Sequence, residues 1–404
     1  MKNRTLLMIP GPIEFEPAVL SAMGAPTTSH LAAKFIEAFG QVLEQMRQVF
    51  LCPEGQPFVI AGTGTLAMDS AGANLVEPGD KALVVNTGYF SDRFGAILER
   101  YGAQVTHLRT LPGDRPSLKQ VEQALSTDPY KLVIVTHVDT STGVLTDIPG
   151  TARLARQHGA LCVVDGVCSV AGEELCMTDW GVDLALTASQ KAIGVPPGLA
   201  LLMVGPRAMA VFQARKTPVL SYYADWTNWM PVMQAYEARK PGYFATPAVN
   251  LIFALNVSLG LILAEGMQVR FARHVMLSRA CKAGVQALGL GQVPLHPEYA
   301  ANTMTAPRFP AGINGPDFLA RVGKAGVTLA GGLHPAIRAE YFRIGHMGAA
   351  SLGDVLATLG AVENALAACG YTFTPGAGVA AASTAAMSWA TLQLNRINPN
   401  PNGL

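Results

Sequence analysis

Apolar positions along the chain fall into two alternating patterns. Short β-rich runs, such as KALVVN at 81–86, KLVIVTH at 131–137 and LCVVD at 161–165, are separated by longer stretches with helical spacing. The pattern predicts helices over 32–50, 66–75, 90–101, 117–126 and 148–158. It predicts strands over 57–61, 81–86, 103–108, 131–137, 161–165 and 182–187. Runs apolar at nearly every position, alternating with helices, imply an α/β fold with a doubly wound, mostly parallel sheet. Such sheets bind ligands at the carboxyl ends of their strands. The unusual residues of this chain fall there: the 62–65 turn, the 86–90 turn, 137–143, Asp165 and Lys191.

Outside this alternation the pattern changes. Residues 1–26 read as an extended arm punctuated by Pro10, Gly11, Pro12, Pro17 and Pro26. After Arg207 the periodicity loosens into an aromatic-rich segment, expected to be core and dimer interface. A long apolar helix over 248–264 then leads to a smaller α+β domain. Its signs are helices over 269–287, 316–325 and 351–368 and strands over 302–307, 327–330 and 341–344. The division is therefore an N-terminal arm (1–21), a large domain (22–265), a small C-terminal domain (266–375) and a tail (376–404) whose final ten residues read as disordered.

Composition narrows the class. Half of the 404 residues are hydrophobic and only 14% charged, so the chain has core for two domains and apolar surface to hide in an oligomer. The net charge is +1 and no basic stripe appears, which argues against nucleic acid. The six cysteines and the histidines lack metal-ligand spacing, and the cysteines read as reduced core residues. No apolar run reaches the length of a membrane span, and the arm enters structure too early for a signal or transit peptide.

Four features carry candidate chemistry. Lys191 sits between two apolar strands in LALTASQKAIGVPPGLALL (184–202). A buried ammonium is costly, and a desolvated lysine is a nucleophile suited to a Schiff base with a carbonyl or with pyridoxal phosphate. Gln190 and Ser189 precede it and could bond ring and phosphate oxygens. Asp165 ends an apolar strand and needs a partner, either a pyridinium nitrogen or a structural cap or cation. Gly62-Thr63-Gly64-Thr65 is either a phosphate cradle at a helix N-terminus or a tight turn. Arg343 lies in an apolar strand, where its planar fork suits a substrate carboxylate or a structural one. His137, at a strand end pointing at the crevice, and His346, beside Arg343, are more consistent with structural roles.

Thr187-Ala188-Ser189-Gln190-Lys191-Ala192 with Pro196-Pro197-Gly198 resembles the pyridoxal-phosphate lysine motif of class V (fold type I) aminotransferases. Val164-Asp165-Gly166-Val167-Cys168-Ser169, Thr140-Ser141-Thr142-Gly143-Val144, Pro10-Gly11-Pro12 and Phe342-Arg343-Ile344-Gly345-His346 fall in that family's order. The alanine–glyoxylate and serine–glyoxylate branches are the most similar. The resemblance implies that Lys191 binds the cofactor and shuttles protons, and that Asp165 pairs with the pyridinium. It implies that Phe90, a position often Trp in the family, stacks on the ring and that Thr140 and Val167 flank it. Thr63, Gly64, Thr65 and Gln190 would hold the phosphate, joined by Tyr243 and Thr246 from the neighbouring subunit of an obligatory homodimer. Arg343 would hold the substrate carboxylate, with Ser29 and His30 edging the partner's pocket. The implied reaction moves the amino group of alanine, or serine, to glyoxylate, giving glycine and a 2-oxo acid. The alternatives are a serine–pyruvate enzyme, a lyase or desulfurase, and a catalytically inactive binding protein of the same fold. Localisation is expected to be peroxisomal or cytoplasmic, since Asn402-Gly403-Leu404 departs from the Ser-Lys-Leu type of signal.

Overall fold

The computed structural model describes residues 5–397. Its centre is a seven-stranded sheet in the order Gln56–Ala61, Leu199–Val204, Leu184–Ala188, Leu161–Asp165, Leu132–Thr136, Lys81–Asn86 and Gln104–Arg109. Neighbours pair in parallel except Leu199–Val204, which runs antiparallel to both strands beside it. Every residue of the four strands from Leu199–Val204 to Leu132–Thr136 is buried. Both faces are therefore covered, which is why these strands read as continuous apolar runs rather than alternating ones. The α/β architecture expected from that pattern is the one observed.

Register aligns the ends of the central strands. Thr136 lies opposite Asp165, and Asp165 opposite Leu186. The turns after Thr136, Asp165 and Ala188 therefore leave the sheet at one edge. Helices Gly64–Leu75 and Tyr89–Arg100 begin close by.

A second core, smaller than the first, is formed by Leu277, Val285, Phe318, Phe342, Ile344, Leu359 and others. Helices Val249–Glu265 and Met267–Ala287 meet with an 85° bend at Gly266, whose φ of +83° is a left-handed value that suits glycine. The second helix buries Met267 and Phe271 in the large core and Leu277 to Val285 in the small one. Helix Ala377–Ile397 packs along it and adds Ala382 and Ala386 to the small core. Residues 398–404, including most of the stretch read as disordered, lie outside the described residues. No single helix among the described residues is long and apolar enough to cross a membrane.

Several elements differ from the sequence pattern. Part of the supposed extended arm is a helix, Pro17–Met23, with proline in its first turn, where no donor is lost. The aromatic-rich segment contains helix Trp226–Glu237, which buries Trp226, Trp229, Met233 and Tyr236 on one face. The expected strand over 302–307 shrinks to Met304–Thr305. The one over 327–330 divides: Val327–Thr328 pairs in parallel with Leu6–Leu7 of the arm, while Ala330–Gly331 pairs with Phe342–Gly345.

Candidate active site

Lys191 follows the Leu184–Ala188 strand in a turn closed by Ser189, whose hydroxyl donates to Pro196 O (2.8 Å). Ser189 is thus spent on the turn and does not face a ligand, contrary to the reading of it as a ring or phosphate contact. The lysine is 8% exposed, and its ammonium donates to the Pro10 carbonyl. None of the ion pairs among the described residues includes it. Burial lowers its pKa; Cys168 opposes this, Arg343 adds to it, and Asp165 opposes it. Gly11 packs on the lysine stem: a Cβ there would lie 2.5 Å from Lys191 Cδ, and its φ of +103° favours glycine.

Asp165 is buried one strand away and accepts from the Val167 N–H (3.0 Å). It has no ion-pair partner among the described residues. Burial raises its pKa to about 7; the Val167 N–H lowers it, Asp139 raises it, and Lys191 and Arg93 lower it. Such a carboxylate is short of a cation.

Helix Gly64–Leu75 opens directly above, with the Thr63 and Thr65 side chains exposed at its start. Gly64 is required by closeness: a Cβ would lie 3.0 Å from Val167 and 3.3 Å from Ala188. The cradle glycine, the Val167 side chain and the end of the lysine strand are therefore in contact. Gln190 Oε1 is buried with no hydrogen-bond partner, an open acceptor or, with the amide reversed, an open donor. Phe90 is half-buried, and the Arg93 guanidinium lies 5.1 Å from its ring while donating to Thr65 Oγ1 (3.0 Å).

Thr140 is buried, and its carbonyl accepts from Arg343 Nη1 (3.0 Å). Arg343 Nε donates to Gly331 O (2.9 Å). Two carbonyls fix the guanidinium plane, and no carboxylate pairs with it among the described residues. Burial lowers its pKa, with Tyr341, Cys168 and Asp139 opposing.

Asp139 went unnoticed in the sequence. It is fully buried and accepts from the N–H groups of Phe90 (3.2 Å) and Ser141 (2.9 Å) and from the Ser141 hydroxyl. It joins the ring-stacking position to the Thr140 turn. The signal was available, since an acidic residue among apolar and hydroxyl side chains after a buried strand needs donors as much as Asp165 does. Arg93 and Tyr341 were also missed. Their roles depend on helix and strand faces that only the fold reveals.

Six residues named from the sequence take no part in the side-chain contacts above. Tyr243 is 64% exposed and its ring packs against His30, 5.3 Å between centroids; Ser29 and Thr246 are exposed. His137 lines a separate cavity of about 600 Å³ with Trp180 and Phe271, not the crevice. Burial lowers its pKa to about 3. His346 is buried against Thr305 Oγ1 (2.9 Å), and its pKa is likewise lowered to about 3.

Lysine, carboxylate, helix start and arginine thus meet at one sheet edge. The family model described as Aminotransferase class-V matches residues 18–355. The chain belongs to the class V aminotransferase family. It is 41% identical to alanine–glyoxylate aminotransferase 1 of Saccharomyces cerevisiae over 86% of this chain and 93% of that one. It is 32% identical to serine–glyoxylate aminotransferase of Arabidopsis thaliana over 95% of each. The crystal structure of ureidoglycine–glyoxylate aminotransferase from Bacillus subtilis superposes with a TM-score of 0.89 at 26% identity, over 95% of this chain and 98% of that one. For a class V aminotransferase, pyridoxal phosphate is the implied cofactor.

Proposed function

We infer that this aminotransferase moves the amino group of a small L-amino acid, alanine or serine, to glyoxylate, releasing glycine and a 2-oxo acid. The observation that carries the reading is Arg343, held flat by two carbonyls beside a buried lysine and with no carboxylate partner among the described residues. The three relatives differ in donor but share glyoxylate in their names, which supports glyoxylate as the acceptor.

The residues present fit pyridoxal phosphate: a buried Gln190 side-chain oxygen with no hydrogen-bond partner, a glycine-fitted helix start and a buried carboxylate with no cation among the described residues. Thr63, Gly64, Thr65 and Gln190 would hold the phosphate, and Asp165 would face the ring nitrogen. Phe90 and Val167 would cover the ring faces beside Thr140. When bound, the cofactor supplies an electron sink for the substrate Cα carbanion. Arg343 binds the substrate carboxylate and orients the Cα–H bond. Lys191, its pKa lowered by burial, serves as the base that removes the Cα proton and returns it.

A homodimer completes the reading. Leu20, Met23, Leu31, Tyr222 and Tyr243 are exposed, and a second copy would cover them. Tyr243 and Thr246 of each subunit would reach the other's phosphate, and Ser29 and His30 would edge its substrate pocket. The compartment we propose is the cytosol or the peroxisome; the C-terminal tripeptide lies outside the described residues.

The test is a half-reaction screen with the cofactor-loaded protein. Alanine and serine should bleach the visible absorbance, and glyoxylate should restore it. Lys191→Ala should lack that absorbance. A wild-type protein that stays colourless after incubation with pyridoxal phosphate overturns the reading.

A further inference from the structure

Successive side chains of a strand point to opposite faces. In the strand around Arg343, Phe342 and Ile344 enter the small-domain core. Tyr341 and Arg343 share the other face, toward the large domain. Each grips one of two consecutive carbonyls of the same turn: Arg343 Nη1 donates to Thr140 O, and the Tyr341 hydroxyl donates to Ser141 O.

Tyr341 is fully buried, and its oxygen does more than donate. It accepts from the N–H groups of Leu333 (2.9 Å) and His334 (3.0 Å). Those residues follow Gly331, whose carbonyl holds Arg343 Nε. One hydroxyl therefore ties together the two backbone segments that orient the arginine, one from each domain. The Ser141 end is itself anchored, because Asp139 accepts from both the Ser141 N–H and its hydroxyl. Gly332 lies against the phenol: a Cβ there would stand 2.7 Å from Tyr341 Cε1 and closer still to Arg338 O.

We propose that Tyr341 is a positioning residue for the substrate-carboxylate site, setting the plane of Arg343 by fastening the Gly331–His334 turn to the Thr140–Ser141 turn. The proposal rests on Arg343 being the carboxylate ligand. A phenylalanine at 341 keeps the ring in its packing and removes only the oxygen. It would release three hydrogen bonds and leave Arg343 anchored to two segments no longer fixed to each other.

The test uses the cofactor-loaded dimer and 2-methylalanine, an amino acid with no Cα proton, which binds but cannot be transaminated. Its dissociation constant, read from the visible spectrum, should rise about tenfold in Tyr341→Phe. The variant's affinity for pyridoxal phosphate should stay within about twofold, because Asp139 still anchors the Ser141 turn and Tyr341 bonds none of the phosphate residues. KM should rise for both the amino and the oxo substrate with little change in kcat. Gly332→Ala, which displaces the same turn without removing the hydroxyl, should weaken 2-methylalanine binding in the same direction. An unchanged dissociation constant in Tyr341→Phe, alongside any change in melting temperature, reduces Tyr341 to a structural residue and overturns the proposal. A wild-type protein that takes up no cofactor fails at the earlier step and identifies the aminotransferase reading as the one at fault.

Discussion

Asp165 and two buried histidines pull stability in opposite directions as pH changes. The pKa of Asp165 is raised by burial to about 7. Without a cationic ligand, its contribution is full at low pH and is lost as pH rises from about 4 through 7. His137 and His346 have pKa values lowered by burial to about 3. Their contributions are full above about pH 6.5 and are lost as pH falls toward 3. As pH falls from 6.5 to 4 in the cofactor-free protein, Asp165→Asn should lose melting temperature faster than the wild type, and His137→Gln should lose it more slowly. Thermal melts across this range check both signs. A shallower slope in Asp165→Asn would contradict the assignment of a raised pKa to this carboxyl. Once a cation faces Asp165 the carboxylate is stabilised, so the cofactor should lift the melting temperature most near neutral pH.

At the scale of elements, two glycines hold the machinery by close approach. A Cβ on Gly88 would stand 2.5 Å from Ser141 Oγ and 2.7 Å from Asp139 Cγ. Gly88→Ala should therefore push Asp139 off the start of helix Tyr89–Arg100, cost about 1–3 kcal/mol of stability and weaken cofactor binding. Denaturant melts and a cofactor titration read both effects. Gly11→Ala presses on Lys191 instead, so it should slow cofactor attachment more than it lowers the melting temperature. Mixing experiments followed in the visible range separate the two.

Legibility from sequence follows the same elements. Buried parallel strands announce themselves as apolar runs, and the residues that break the pattern at their ends, Asp165 and Lys191, stand out against them. Strands of two residues, such as Met304–Thr305 or Ala330–Gly331, have no period to detect. Asp139 is hidden among the hydroxyls it organises. Tyr341 gains meaning only when the direction of its strand shows that it shares a face with Arg343.

For the whole molecule, the proposed association rests on the exposed apolar side chains and on the exposure of Tyr243 and Thr246. Leu31, next to His30, is 55% exposed. Leu31→Glu should convert a dimer into monomers at micromolar concentration by light scattering. The monomer should lose cofactor more readily and lose transaminase activity, because the proposed Tyr243 and Thr246 contacts to the phosphate would be missing. A fully active monomer would show that each chain carries a complete site.

The arm has a consequence for how the two cores are joined. Leu6 and Leu7 pair with Val327 and Thr328, and Ile13 N–H then bonds to Gln190 O beside the lysine. Met8 enters the second core and Ile13 the large one. Between them the Pro10 carbonyl accepts from the Lys191 ammonium. The arm is thus a strap fastened at both ends, and a shift of either core against the other is carried to the backbone that lies over the lysine.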